Sequence, residues 1–344
     1  MLEALAACGY TEEGCTTRLG IDPLLGIQFH HASAGRFGTM VRSAVGAMPD
    51  WLHWTSSDDP CDQLIGLFVA GESISTFRIA ATLGSTATDI LLETGLLCAD
   101  GAAVHSPYCL YPIQGRYLTT DRPGLQPGIN PVSALYPETY ILAGAVSRTT
   151  HVHRTLDLCT GSGVHALLAV PHTDEVLGVD INPRAIDFSG FNRALNGLPS
   201  AEFALADLYE PCPAGTRYDL IVSNPPYVPS VQHPAGTTWF SGGPTGDAIL
   251  SRIIAGLDAH LADDGVAVLY AMLVHHDDRP YRDKLDAWLG GLDRWQVTIR
   301  VVPFGFQSME ALDPPPSHYE LALITVRRCA SGTGTYDRIW GLRS

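Results

Sequence analysis

Asn224 and Tyr227 bracket two prolines in the run Asp219-Leu220-Ile221-Val222-Ser223-Asn224-Pro225-Pro226-Tyr227. An amide in that place can accept or donate hydrogen bonds, and an aromatic ring offers a flat wall. The apolar, β-branched half of the run reads as a buried strand. Pro225 and Pro226 carry no backbone N–H, so the ladder must stop there. Asn224 and Tyr227 are thereby held at the carboxyl edge of a strand, where open α/β sheets bind ligands.

A second group lies upstream. Asp157-Leu158-Cys159-Thr160-Gly161-Ser162-Gly163 reads as a strand, a glycine turn and a helix start. Glycines at Gly161 and Gly163 let the backbone approach a ligand, and the helix that follows presents unpaired N–H groups. Asp180 ends the next strand, where a carboxylate can accept from both hydroxyls of a ribose. Asp207 ends the third strand, close enough in such a sheet to meet a base. The chemistry is that of a nucleoside site. A dinucleotide fingerprint would place a third glycine where the chain has Ala166, which disfavours NAD.

The elements that position these groups alternate from Arg154 onward. Strands are expected at 155–159, 176–179, 201–206, 218–223 and 265–270, with two late ones at 295–302 and 318–326. Helices are expected at 164–170, 185–195, 247–261 and 281–289. That order predicts an α/β fold, a Rossmann-like, seven-stranded and mostly parallel sheet with helices on both faces.

Residues 60–120 have a different plan. Three apolar helices, closed near Gly71, Gly84 and Leu97, precede a hairpin turn at Asp100-Gly101, which is a winged-helix outline. The third helix carries Asp89 and Glu93, and Arg78 is the one basic residue between Cys61 and Asp100. DNA recognition is therefore disfavoured against dimerisation or substrate capping. The proline- and glycine-rich stretch 121–135 reads as a linker, giving an N-terminal domain over 1–120 and a ligand-binding domain over 136–344.

With 36 acidic against 21 basic residues, the chain has a formal net charge of −15. Nucleic-acid binders draw affinity from basic surfaces, so a nucleic-acid partner is not expected. No apolar run approaches the roughly 20 residues needed to cross a bilayer. Eight cysteines without a CxxC pair fit reduced thiols and a cytoplasmic setting. His275-His276-Asp277-Asp278 has metal-ligand types, but adjacent residues do not readily face one ion, and no metal is expected. His151 and His153 read as surface residues, and Cys159 as small packing in the turn.

These motifs carry a resemblance. Residues 131–326 resemble class I S-adenosylmethionine-dependent methyltransferases: the DLCTGSG run is similar to their first motif, Asp180 to their ribose acid, and Asp207-Leu208 to their adenine-proximal pair. Asn224-Pro225-Pro226-Tyr227 is similar to the NPPY motif of the amino-methylating branch. Pro137-Glu138-Thr139 and Ser241-Gly242-Gly243-Pro244-Thr245-Gly246-Asp247 resemble two further segments of the HemK-like protein-glutamine methyltransferases, although release-factor enzymes of that group carry a small helical bundle at their N-terminus. The resemblance implies S-adenosylmethionine as cofactor, with S-adenosylhomocysteine as product. It implies that Glu138, Thr139, Asp157, Cys159, Thr160, Gly161, Gly163, Asp180, Ile181, Asn182, Asp207, Leu208 and Asn224 hold it. Asn224, Pro225, Pro226 and Tyr227 are the implied catalytic residues. Tyr136, Trp239 and Phe240 are expected at the acceptor.

In this chemistry the nucleophile must lie in line with the sulfonium methyl, and positioning supplies most of the rate. The Asn224 amide oxygen and the Pro225 carbonyl can accept both N–H bonds of a planar amide or amine. The expected function is methyl transfer to nitrogen of a protein glutamine or a small metabolite. Plant methionine S-methyltransferases have a similar NPPY domain, so sulfur or oxygen of a small molecule stays open as acceptor. A winged-helix regulator using the cofactor as a sensor ligand is the alternative of another class. Expected partners are a small-molecule or protein acceptor, with a homodimer as a candidate assembly and no membrane.

Overall fold

The computed structural model describes residues 1–19, 54–122, 130–146, 149–228, 241–275, 280–302 and 318–341. Trp239, Phe240 and the His276-Asp277-Asp278 run lie outside the described residues, as do residues 123–129 of the proline- and glycine-rich stretch expected as a linker. The chain divides into two compact units, Met1–Pro127 with Ser133–Tyr140, and Gly128–Val132 with Ile141–Ser344.

In the first unit, helix Pro60–Ile65 runs on through a π-helical turn, Gly66–Ala70. Asp59 caps its start by accepting from the Cys61 and Asp62 amides, with Pro60 at the first position. Gly71 ends it in the left-handed conformation, φ +81°. The Arg122 guanidinium then donates to the carbonyls of Leu67, Phe68 and Val69, which a helix end leaves unpaired. Next come β1 (Ile74–Ser75), helices Thr76–Leu83 and Ser85–Glu93, then β2 (Cys98–Asp100) and β3 (Ala103–His105). The strand order is β1-β3-β2, all antiparallel. Ile74 and Ser75, expected at the start of a helix, instead pair with Val104 and Ala103. The Ser75 hydroxyl accepts the Arg78 amide and starts the helix two residues later.

Strands β4 (Tyr108–Ile113) and β5 (Arg116–Asp121) form a separate hairpin that sequence patterning does not reveal. Its two-residue turn, Gln114-Gly115, has positive φ at both positions, which matches the twist of the flanking strands. Both strands are buried along nearly their whole length, so no polar alternation marks them. Tyr10 donates its hydroxyl to the Leu110 carbonyl, and Tyr117 donates to the carbonyl of Tyr10, tying the N-terminal helices to this hairpin.

The second unit is built on one large sheet. Its strands are β6 (Val152–Leu158), β7 (Thr173–Asp180), β8 (Ala201–Leu205), β9 (Tyr218–Ser223), β10 (Leu261–His275), β11 (Trp295–Val302), β12 (His318–Arg328) and β13 (Thr335–Trp340). The spatial order is β13-β11-β12-β10-β9-β6-β7-β8. The expected seven strands form, and β13 adds an eighth at the edge, parallel to β11. Its residues are mostly exposed and polar, so no apolar run announces it. β10, β9, β6, β7 and β8 are parallel to one another, while β12 runs antiparallel to both β10 and β11.

Side-chain alternation separates the two faces. Ala267, Leu269, Ala271 and Leu273 of β10 join Ile221 under helices Ala248–His260 and Tyr281–Leu289. Val268, Tyr270, Met272 and Val274 join Leu220, Val222, Ile141 and Leu142 on the opposite face. Because both faces are covered, the central strands read as continuous apolar runs.

Candidate active site

β9 lies between β6 and β10, parallel to each, so its carboxyl end opens among other strand ends of the same direction. Ser223 closes it by donating its hydroxyl to the Leu158 carbonyl at 2.7 Å. Asn224 follows, half-buried, and its Oδ1 is buried without a hydrogen-bond partner among the described residues. An unmade bond on such an oxygen costs about 1–3 kcal/mol, so the position favours an incoming N–H donor. The Tyr227 ring sits 6.0 Å from that of Tyr270, tilted by 50°. Pro225 is buried, and Pro226 and Tyr227 are partly exposed.

The segment that returns to this loop explains the glycines at 242–246. The Gly242 amide donates to the Val228 carbonyl at 2.7 Å. A Cβ on Gly242 would stand 2.3 Å from the Gly246 oxygen and 2.8 Å from the Tyr227 carbonyl carbon, so no side chain fits there. Asp247 then starts helix Ala248–His260 and is gripped from two sides, by the Thr245 hydroxyl and by Lys284 Nζ at 3.0 Å. Lys284 also donates to the Val274 carbonyl at 3.1 Å. With both side chains about nine-tenths buried, this ion pair is a firm anchor for the return segment.

The glycine turn is held from beneath by Asp157. Its Oδ2 accepts from the Thr160 hydroxyl at 2.6 Å and from the Ala166 amide at 3.0 Å. Burial raises this carboxyl to about 7. The Thr160 amide reaches the Val179 carbonyl, and Asn192 Nδ2 donates to the Ser162 carbonyl from helix Pro183–Leu195. Cys159 is left-handed at φ +58° although it has a side chain, a conformation such residues adopt only under constraint. Desolvation pushes its thiol upward, away from a reactive thiolate. A Cβ on Gly163 would meet Ser189 at 2.9 Å, whereas Gly161 has open space over its α-carbon.

Asp180 joins the turn to the second strand. Its Oδ2 accepts the Gly161 amide and its Oδ1 the Asn182 amide, each at 2.9 Å. Each oxygen retains a further lone pair. Ile181 is 59% exposed and Leu205 is 57% exposed, two large apolar side chains left uncovered at neighbouring strand ends. Asn182 caps helix Pro183–Leu195 with its Oδ1 and donates through Nδ2 to the Asn130 carbonyl, so its side chain serves the helix start. At the end of β8, Asp207 is ion-paired with Arg252 at 2.8 Å, and its amide donates to Glu210 at 3.1 Å. Leu208 is the second strained residue of the edge, with φ +52°.

Tyr136, Glu138 and Thr139 belong to the first unit. Glu138 and Thr139 lie in the first turn of helix Pro137–Ala145, and the Thr139 amide donates to the Tyr136 carbonyl. His151, just ahead of β6, and His153, near its start, are exposed and both pair with Asp174. Sequence reasoning missed Ser223, Asn192, Arg252 and Lys284. Each acts through single hydrogen bonds or ion pairs across 30 to 65 residues, which leave no periodic trace.

The strand order, the glycine turn and the acid at the end of β7 define a class I S-adenosylmethionine-dependent methyltransferase. The methyltransferase small domain family matches residues 126–298, and the chain belongs to that family. It is 36% identical over 131 residues to the ribosomal protein uL3 glutamine methyltransferase of Bradyrhizobium diazoefficiens, covering 35% of this chain and 41% of that protein. The corresponding enzyme of Bordetella pertussis is 33% identical over 168 residues, 46% of this chain and 55% of that protein. The release factor glutamine methyltransferase of Thermodesulfovibrio yellowstonii is 29% identical over 149 residues, 39% of this chain and 53% of that protein. The matches thus span between 41% and 55% of these relatives' own lengths.

The residues present fit S-adenosylmethionine. Asp180 offers lone pairs for ribose hydroxyls, Gly161 leaves room above the turn, and Ile181 and Leu205 supply uncovered apolar surface for a flat base.

Proposed function

We propose that the chain is a protein-glutamine N-methyltransferase and that Asn224, at the end of β9, aligns the acceptor amide. S-adenosylmethionine supplies an electrophilic methyl group. The orphaned Asn224 Oδ1 carries the reading. That oxygen and the Pro225 carbonyl accept the two N–H bonds of a primary amide, which fixes its plane and directs the nitrogen toward the methyl. Tyr227 flanks the amide as a flat wall. The methylated nitrogen is acidic and releases its proton without a strong base. Asp180 holds the ribose, the 160–163 turn lies over the remainder of the cofactor, and Asp157 keeps that turn in shape. The likeness to uL3 and release factor glutamine methyltransferases supports a glutamine side chain as acceptor.

The first unit serves acceptor choice or dimerisation in this reading. Arg78 is the one Lys or Arg between Cys61 and Asp100, and its guanidinium is held by Asp58 and by the carbonyls of Ser56 and Ser57, which argues against a nucleic-acid face there. Incubation with methyl-labelled cofactor and fractionated cell extract tests the function. Label should enter protein and appear after hydrolysis as methylated glutamine. Label confined to small molecules or to RNA would overturn the reading.

A further inference from the structure

At the carboxyl end of β10, six residues beyond Leu269, three side chains of metal-binding type converge. His275 and His318 are directly paired residues of the antiparallel β10–β12 ladder. Glu320 lies two residues beyond His318, so it stands on the same face of the sheet. That face is the one carrying Leu273 and Ala322, under helix Tyr281–Leu289. One candidate ligand atom from each of the three lies within 4.8 Å of the others. Chain adjacency groups His275 with His276, Asp277 and Asp278. The sheet instead pairs it with His318, 43 positions away, and brings Glu320, the partner of Leu273, beside it.

The surroundings match those of a ligand set. His275 Nε2 and Glu320 Oε2 are 3.0 Å apart, and the second carboxylate oxygen is held by the Arg338 guanidinium. A hydrogen-bonded carboxylate of this kind is oriented before any ion arrives, as carboxylate ligands commonly are. The rings of His275 and His318 are parallel, with centroids 4.3 Å apart. A tetrahedral ion with ligands at about 2.0–2.2 Å needs donors roughly 3.3–3.5 Å from one another. The donors lie within 4.8 Å of one another, so closing to that spacing calls for a side-chain movement, for which the exposed His318 is the candidate. His318 is exposed, so water has access to the remaining coordination position.

We propose that His275, His318 and Glu320 form a binding site for a divalent transition-metal ion of the zinc class, cross-linking β10 and β12. Imidazole and carboxylate donors in this number suit zinc or cobalt better than calcium or magnesium, which prefer all-oxygen shells. Binding replaces the hydrogen bond between His275 and Glu320 with a bond from each side chain to the ion. The ion holds the end of β10, six residues beyond Leu269, the partner of Ser223.

The test uses the full chain, freed of metal by chelator and dialysis, then titrated with zinc chloride by calorimetry and with cobalt chloride by visible absorption. One equivalent should bind, with a cobalt spectrum of nitrogen and oxygen ligation. His318→Ala, which alters an exposed side chain, should weaken zinc at least ~10-fold while leaving the circular dichroism spectrum unchanged. Glu320→Gln should weaken it in the same direction. Absence of stoichiometric binding to the wild type would overturn the site. So would unchanged affinity in His318→Ala, or a cobalt spectrum with thiolate charge-transfer bands.

Discussion

The Gly161 amide donates to Asp180 Oδ2 at 2.9 Å, across 19 residues and from one strand end to the next. The acid that would grip the ribose thus also holds the glycine turn. Removing it strikes the site twice. Asp180→Ala should weaken binding of S-adenosylhomocysteine by about 2–3 kcal/mol, as loss of charge-assisted hydrogen bonds does. Asp180→Asn, which keeps one acceptor oxygen, should lose less. Titration calorimetry on the folded variants checks the order, and an Asp180→Ala affinity equal to wild type would move the cofactor elsewhere.

Asp157 predicts a pH dependence. Burial raises its folded-state value to about 7, above that of the unfolded chain. The folded form therefore holds the proton more tightly, and this stabilisation is complete near pH 4 and lost as pH rises through about 7. Asp180, also raised by burial, acts in the same direction. Between pH 4 and 8 this contribution falls with rising pH, while His260 and His275, lowered by burial, act in the opposite direction. Relative to wild type, Asp157→Asn should therefore lose less melting temperature, or gain more, as pH rises. An identical slope in the variant would show that Asp157 is not the titrating group.

How much of this could be read in advance follows from the kind of signal each part leaves. Asp180, Asp207 and the 224–227 run stand where apolar strands stop, and a change from apolar run to polar residue is visible in one dimension. Hairpin β4–β5 was not legible because both strands are buried, which removes alternation, and because Gln114 occupies a position where asparagine or glycine would announce the turn. Nor was the role of Asn182, whose side chain caps a helix and reaches Asn130. The pairing of Asp207 with Arg252 spans 45 residues and joins a strand end to a helix face. Contacts of that kind belong to the fold, not to local sequence.

Lys284 should matter to the NPPY loop although it lies 60 residues beyond Asn224. Lys284→Met leaves Asp247 buried without its cation, a change that costs about 3–5 kcal/mol when a buried pair is broken. Thermal unfolding measures the loss. In the variant that remains folded, turnover should fall more than cofactor affinity, because Asp247 anchors the segment that packs on Tyr227. Equal losses in both would indicate a purely global effect.

Gly242→Ala addresses the same contact from the other side. The added methyl collides with backbone at Gly246 and Tyr227, neither of which can swing away. Methylation rate should drop by at least ~10-fold, with binding of S-adenosylhomocysteine little changed. Wild-type rates in this variant would show that the return segment does not position the loop.

The role of Asn224 is tested most directly by single-turnover methyl transfer in Asn224→Ala with the glutamine-bearing acceptor. Its buried Oδ1 is the group that meets the acceptor N–H in this account. The rate should fall by about 3–4 kcal/mol in barrier, roughly 100- to 1000-fold, as for removal of one preorganised polar group at a reacting centre. Cofactor affinity, measured in the same preparation, should stay within about twofold, since the lost contact acts in the reacting complex. A near-wild-type rate in Asn224→Ala would contradict alignment of an amide nitrogen by this residue.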